Sequence, residues 1–182
     1  IEPYPYDPGK AKQLLKEAGY PNGFDAGELA PSPPFFARGE MVANYLAAVG
    51  IKTRLNTMER AAFQAAQNAK QLRGLAIIGG SRYGNAATRI EEGVVSGGTL
   101  SWGGYPDIDE LFKQQDMETD RSKREAILHK IQHLMHERAM FAPIFVFVWP
   151  SGIGPRVEES GIWLIKPYPW AAPLEEARLK KQ

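Results

Sequence analysis

The stretch "GFDAGELAPSPPFFARGEMVANYLAAVGIKTRLNTM", residues 23–58, decides the fold class. Its opening, "GFDAGELA", reads as a short strand that leads into the proline-rich loop "PSPPFF". From Ala37 to Val49, Met41, Val42, Tyr45, Leu46 and Val49 share one helical face, and Gly50 stops the helix. In "IKTRLNTM", Ile51, Thr53, Leu55 and Thr57 recur with the period of two that marks a strand. Strand, helix and strand at this spacing form a βαβ unit, whose strands pair in parallel through a right-handed crossover.

Working outward, the alternation continues on both sides. Upstream, Asp7 caps a helix that takes Pro8 at its first position and stops at Gly19, with Ala11, Leu14, Leu15 and Ala18 as its buried stripe. Downstream, an alanine-rich helix from Glu59 to Lys70 feeds the apolar strand "GLAIIGG". Pro106 to Met117 forms a helix with Ile108, Leu111 and Phe112 inward. Asp120 or Ser122 caps the longest helix, which runs to about Ala139. "PIFVFVW" closes as a nearly continuous apolar strand, and the proline- and glycine-rich tail from Ser151 ends in the helix-like "PLEEARLKK". The expected architecture is α/β with a mostly parallel sheet flanked by helices.

Composition bounds the function. The 182 residues are 43% hydrophobic and 24% charged, the balance of a globular domain, and the net charge of +1 offers nucleic acid no strong field. Cysteine is absent, which removes disulfides and thiolate metal sites. No run of about 18 apolar residues spans a membrane. All three histidines, His129, His133 and His136, fall on one face of the longest helix at spacings a zinc site would use. That face lies opposite Ile127, Leu128, Ile131, Leu134 and Met135, so it reads as solvated surface, and no further ligand is nominated. The carboxylate pairs Glu91-Glu92, Asp107/Asp109, Glu158-Glu159 and Glu175-Glu176 read likewise as surface, and no G-x-S-x-G is present. The sequence therefore nominates no catalytic residue, no cofactor and no metal.

One loop stands out. In "GLAIIGGSRYGNAATRIEEG", residues 74–93, a strand runs into a glycine-rich turn and then a helix. It matches neither G-x-G-x-x-G nor the P-loop. Open α/β sheets place ligands at such strand ends, where helix N-termini favour anions, and Arg82, Tyr83 and Asn85 are the side chains on offer. A purely structural turn fits the same local sequence. The aromatics Trp102, Tyr105, Trp149, Trp163, Tyr168 and Trp170 sit mostly beside glycine or proline, as core plugs and lids or as the walls of a cleft.

The segments "YDPGKAKQLLKEAGYPNGFD", "GEMVANYLAAVGIKTRLNTMERAAFQ" and "YPDIDELFKQQDMETDRSKREAILHKIQHLMHERAMFAPIFVFVW" resemble, in order, the extracytoplasmic solute-binding proteins of family 5, the dipeptide/oligopeptide-binding components of ABC importers. The resemblance covers about residues 4–150. It implies a type II periplasmic-binding-protein-like fold, with two lobes closing on a solute and a membrane permease as partner. Residues 1–150 would be the C-terminal lobe and 151–182 a return segment toward an N-terminal lobe encoded upstream, along with a signal peptide. Such a protein is periplasmic and binds without catalysis. The alternatives are a solute-sensing domain of a transcription regulator, downstream of a DNA-binding segment, and an α/β enzyme acting on phosphorylated substrates at the glycine loop.

Within the resemblance, "GGSRYGNAATRI" replaces a turn in which peptide binders of the family commonly carry Asp-Pro-Asp, and it has Arg82 and Arg89 instead of an acid. Such a site favours an anionic or neutral polar group over an ammonium. In "TLSWGGYPDID", Trp102 stands at a glycine position of the family and Tyr105 at its usual asparagine cap. The residues assigned to the solute are Arg82 as charge anchor, Asn85 as hydrogen-bonding partner, and Tyr83 and Trp102 as apolar walls.

Overall fold

The structure is a computed structural model and describes residues 1–79, 85–146, 150–162, 164–165 and 172–180. In chain order the elements are α1 (Pro8–Glu17), β1 (Phe24–Pro31), α2 (Phe36–Ala48), β2 (Ile51–Leu55), α3 (Arg60–Asn68), β3 (Leu75–Ile77), α4 (Ala86–Gly93), α5 (Pro106–Met117) and α6 (Arg121–Glu137). A short strand β4 (Val157–Glu159), a 3₁₀ turn (Leu174–Glu176) and β5 (Arg178–Leu179) follow.

The expected βαβ unit forms the centre of the fold. β1 lies between β2 and β3 and pairs in parallel with both, Leu29 standing opposite Leu55 on one side and Leu75 on the other. Helix α2 returns the chain to one edge of β1 and α3 to the other, so the two crossovers run in opposite directions. Two right-handed crossovers of opposite direction must use opposite faces of the sheet. Neighbouring residues of β1 show this directly. Pro31 abuts Gly39 of α2, where a Cβ would come within 2.8 Å of Pro31 and of Leu55. Ala30 clusters with Phe63 of α3, Leu72 and Ile78. Adjacent strand residues point to opposite faces, so α2 and α3 cover opposite sides. The carboxyl end of β1, Leu29 to Pro31, is accordingly buried, while its amino end is exposed.

A second core lies among the last three helices. Ala87, Ile90 and Val94 of the α4 segment meet Ile108, Leu111 and Phe112 of α5 and Ile131 of α6. Capping follows the sequence signals. The Asp7 and Asp120 side chains accept hydrogen bonds from Lys10 N at 2.8 Å and Lys123 N at 2.9 Å, so Asp120 rather than Ser122 caps α6. Gln115 is fully buried, and its carbonyl oxygen accepts from Arg124 Nε at 3.0 Å. Arg138, just past α6, makes a forked ion pair with Asp107 in the first turn of α5, at 2.9 and 2.6 Å.

Hydrogen bonding from Arg138 holds the Asp107 carboxyl below its ordinary value of 3.8. A carboxyl depressed on folding stabilises above its unfolded value and ceases to do so as pH falls through the folded one. Asp107→Asn should therefore lower the melting temperature at neutral pH, with the difference from wild type shrinking below about pH 4 as the wild-type carboxyl protonates. A pH-independent difference would show that the pair contributes no linked stability.

Several expectations are corrected. Helix α1 has no buried residue, Leu14 is half exposed, and on α2 Met41 and Tyr45 also face outward. Helical period places these residues on one face but does not supply a surface to cover it. Residues 143–146 of "PIFVFVW" are not in a strand, and Ile144, Phe145 and Val146 are exposed; 147–149 lie outside the described residues. A continuous apolar run needs a neighbouring strand to become one, and none pairs with it among the described residues. In the tail, "PLEEARLKK" forms the 3₁₀ turn and β5, which pairs antiparallel with β4, rather than a helix.

Candidate functional site

Strand order fixes where a ligand crevice can open. In an open sheet wound β2-β1-β3, the crossovers diverge between β1 and β3, and ligands bind beyond the carboxyl ends of those strands. The edge there consists of the loop after β1, beginning at Ser32, and the segment after β3 that leads to α4. Ser32 N donates to Ile77 O at 2.9 Å and zips the two strand ends together. Arg38 rises from the first turn of α2 beside this edge, its guanidinium carbon 3.7 Å from the Phe35 ring centroid and 5.2 Å from that of Phe145.

The sequence-assigned residues distribute unevenly. Arg82 and Tyr83 lie outside the described residues. Asn85 is the N-cap of α4: its Oδ1 accepts from Thr88 N at 3.0 Å and lies 3.2 Å from Thr88 Oγ1. That oxygen is thus occupied in fixing the helix start. A shallow pocket of about 250 Å³ beside it is lined by Asn85, Ala86 and Ala87 together with Arg121, Arg124, Glu125 and Leu128 of α6. Here Arg121 pairs with Glu125 at 2.9 Å and Arg124 is held by Gln115, so both arginines have protein partners.

Trp102 lies elsewhere. It is 44% exposed and lines a second pocket of about 260 Å³ with Leu100, Ser101, Gly103, Tyr105, Met140 and Phe141. The two pockets share no lining residue, so the structure does not bring Asn85 and Trp102 into one pocket. Lys70 Nζ stands 4.8 Å from the Trp102 ring centroid and donates to Gly98 O at 2.8 Å and Thr99 O at 2.5 Å. Sequence reasoning passed over Lys70, Arg38 and Phe141. The first two follow or open helices without any motif, and Phe141 reaches the pocket only through the path of the chain after α6.

The remaining candidates resolve plainly. His129 and His133 are exposed, as the helical spacing predicts, whereas His136 stacks on Tyr4 with centroids 4.4 Å apart. Tyr4 also donates its hydroxyl to His136 O at 3.0 Å. Among the described residues, no group of three or more His, Asp or Glu side chains is arranged to hold a metal ion. No helix among them is long and apolar enough to cross a membrane.

A parallel α/β sheet flanked by helices on both faces is the fold of a type II periplasmic binding protein. Solved structures of that class superpose on it. A putative peptide binding protein AppA from Clostridium difficile matches 99% of this chain and 38% of its own length, with a TM-score of 0.74 and 19% identity. DppA from Helicobacter pylori, a periplasmic binding protein solved in complex with the peptide STSA, matches 76% of this chain and 28% of its own, with a TM-score of 0.66 and 24% identity. Residues 1–98 match the bacterial extracellular solute-binding proteins, family 5, and the chain belongs to that family. In sequence it is 28% identical over 172 residues to Heme-binding protein A of Haemophilus influenzae, aligning over 87% of this chain but only 31% of that relative.

Proposed function

We propose that this chain is part of the substrate-binding component of an ABC importer, acting outside the cytoplasm. It would capture a small polar solute or peptide in a cleft and deliver it to a membrane permease without catalysis. The observation that carries this reading is the family match over residues 1–98. Residues 1–150 would be one lobe, the C-terminal one, and 151–182 a segment reaching toward the other. Superposition of nearly all of this chain on only 38% of the AppA chain supports reading it as part of a longer protein.

Arg82, Tyr83, Asn85 and Trp102 remain the proposed solute contacts. The β1/β3 edge supports the first three, since the loop carrying them leaves the carboxyl end of β3. With the acid of peptide binders replaced by arginine, the preferred group on the solute is anionic or neutral.

A thermal-shift screen of the complete two-lobed protein against peptides, opines, sugars and small acids tests the function. A true solute at a hundred times its dissociation constant should add about 2.7 kcal/mol of stability. No shift with any of these classes would sink the reading. With a solute in hand, Arg82→Ala should weaken binding roughly ten- to a hundredfold, the range for losing one charge-assisted hydrogen bond. Unchanged affinity by calorimetry would remove Arg82 as the anchor.

A further inference from the structure

The pocket around Trp102 has a chemistry that the loop after β3 does not explain. Its walls are Trp102, Tyr105, Met140 and Phe141, and the three aromatic side chains are 44%, 40% and 46% exposed. Large aromatic faces left open around one concavity offer offset or edge contacts to a planar group. Met140 adds a polarizable side chain that adapts to ring edges. The volume, about 260 Å³, exceeds the 150 Å³ known to suffice for benzene, so a one- or two-ring group fits. The Ser101 hydroxyl is already spent on the Gly103 carbonyl, which leaves the walls chiefly apolar.

Charge decides between a neutral ring and an anionic one. Two cations stand beside these rings, Lys70 by Trp102 and Arg138 at 4.4 Å from the Tyr105 centroid. Arg138 is neutralised by its forked pair with Asp107. Lys70 is not: it donates to two backbone carbonyls, and among the described residues no carboxylate lies within ion-pair distance of it. A part-buried, uncompensated ammonium beside an apolar pocket attracts an anion more strongly than one in water does.

We propose that this pocket is a subsite for an aromatic ring carrying a carboxylate, with Trp102 selecting the ring and Lys70 selecting the negative charge. The proposal rests on reading the protein as a solute-binding component and names the class of group that one part of its solute presents.

The test uses the full-length protein and three probes, measured by calorimetry and ligand-observed NMR. Indole-3-acetate has both ring and charge, indole-3-acetamide the ring alone, and cyclohexylacetate the charge without a flat face. Indole-3-acetate should bind about tenfold tighter than either of the others, the size of one stacking or one partly desolvated charge contribution. Trp102→Ala, in an exposed loop, should erase the preference for the ring. Lys70→Met should erase the preference for acid over amide and Lys70→Arg should retain it, which separates charge from the tie that Lys70 makes to residues 98 and 99. Equal binding of indole-3-acetate and cyclohexylacetate, or affinity unchanged by Trp102→Ala, would overturn the proposal. If solutes from the screen bind while no indole probe does, the subsite fails and the solute-binding reading stands. If neither binds, both fail.

Discussion

Ile108→Ala should cost the protein about 2–5 kcal/mol of stability, among the largest losses open to a single side chain here. Ile108 has no exposed surface and lies in the core where α4, α5 and α6 converge, with Ile90, Val94, Leu111 and Ile131 as fellow members. Removing three carbons there forfeits their transfer from water and leaves a cavity that rigid helices close only in part. Alanine's better helix propensity returns only a few tenths of a kcal/mol, so packing wins. For a protein of this size the melting temperature should fall by roughly 2–4 °C for each kcal/mol lost. Leu14→Ala is the matched control: half exposed on α1, it should change stability by less than about 0.5 kcal/mol. An Ile108→Ala protein within about 1 kcal/mol of wild type in urea titration would mean that this three-helix core collapses around the gap.

The contrast between Ile108 and Leu14 also marks what the sequence discloses. Both sit at apolar positions of helical period, and local pattern ranks them equally. Caps, proline positions and parallel pairing are local or nearest-neighbour facts, and they were legible: Asp7 and Asp120 cap, Pro8 and Pro106 open helices, and residues 24–55 form the βαβ unit. Whether an apolar face is covered depends on distant chain, and so neither the exposure of α1 nor the lack of a strand over residues 143–146 was legible. The same limit applies to the site. Asn85 could be placed at a helix start from "NAAT", but not that its carbonyl oxygen would be taken up by Thr88. Trp102 could be singled out as an aromatic in a glycine-rich loop, yet its pocket needs Met140 and Phe141, nearly forty residues on. Lys70, whose ammonium stands beside the Trp102 ring, sits at φ 56°, a left-handed turn after α3 that a lysine does not advertise.

Gly74→Ala should damage stability and solute binding together. Gly74 has φ +70°, where an L side chain is strained by about 1–2 kcal/mol. Its missing Cβ would also overlap Glu28 O and come within 2.8 Å of Ala26 O and Glu28 N, all backbone of the central strand β1. Backbone cannot rotate out of the way as a side chain can, and β1 is already irregular between Asp25 and Glu28. Adding a typical overpacking penalty of about 1–3 kcal/mol to the torsional strain gives roughly 2–5 kcal/mol in all. Two other glycines separate these terms. Gly19 has φ +90° with nothing within 4 Å of its would-be Cβ, so Gly19→Ala should show the torsional part alone. Gly79 has neither a left-handed φ nor a close neighbour, so Gly79→Ala should be neutral or slightly stabilising. The functional consequence follows from position. Gly74 immediately precedes β3, whose register against β1 at Leu75, Ala76 and Ile77 sets where the chain leaves toward residues 79–85. On the proposal that the segment following β3 contacts the solute, displacing β3 should also lower the solute affinity of the folded Gly74→Ala protein. A variant as stable as Gly79→Ala and binding like wild type would show that β3 is not the element that positions that loop.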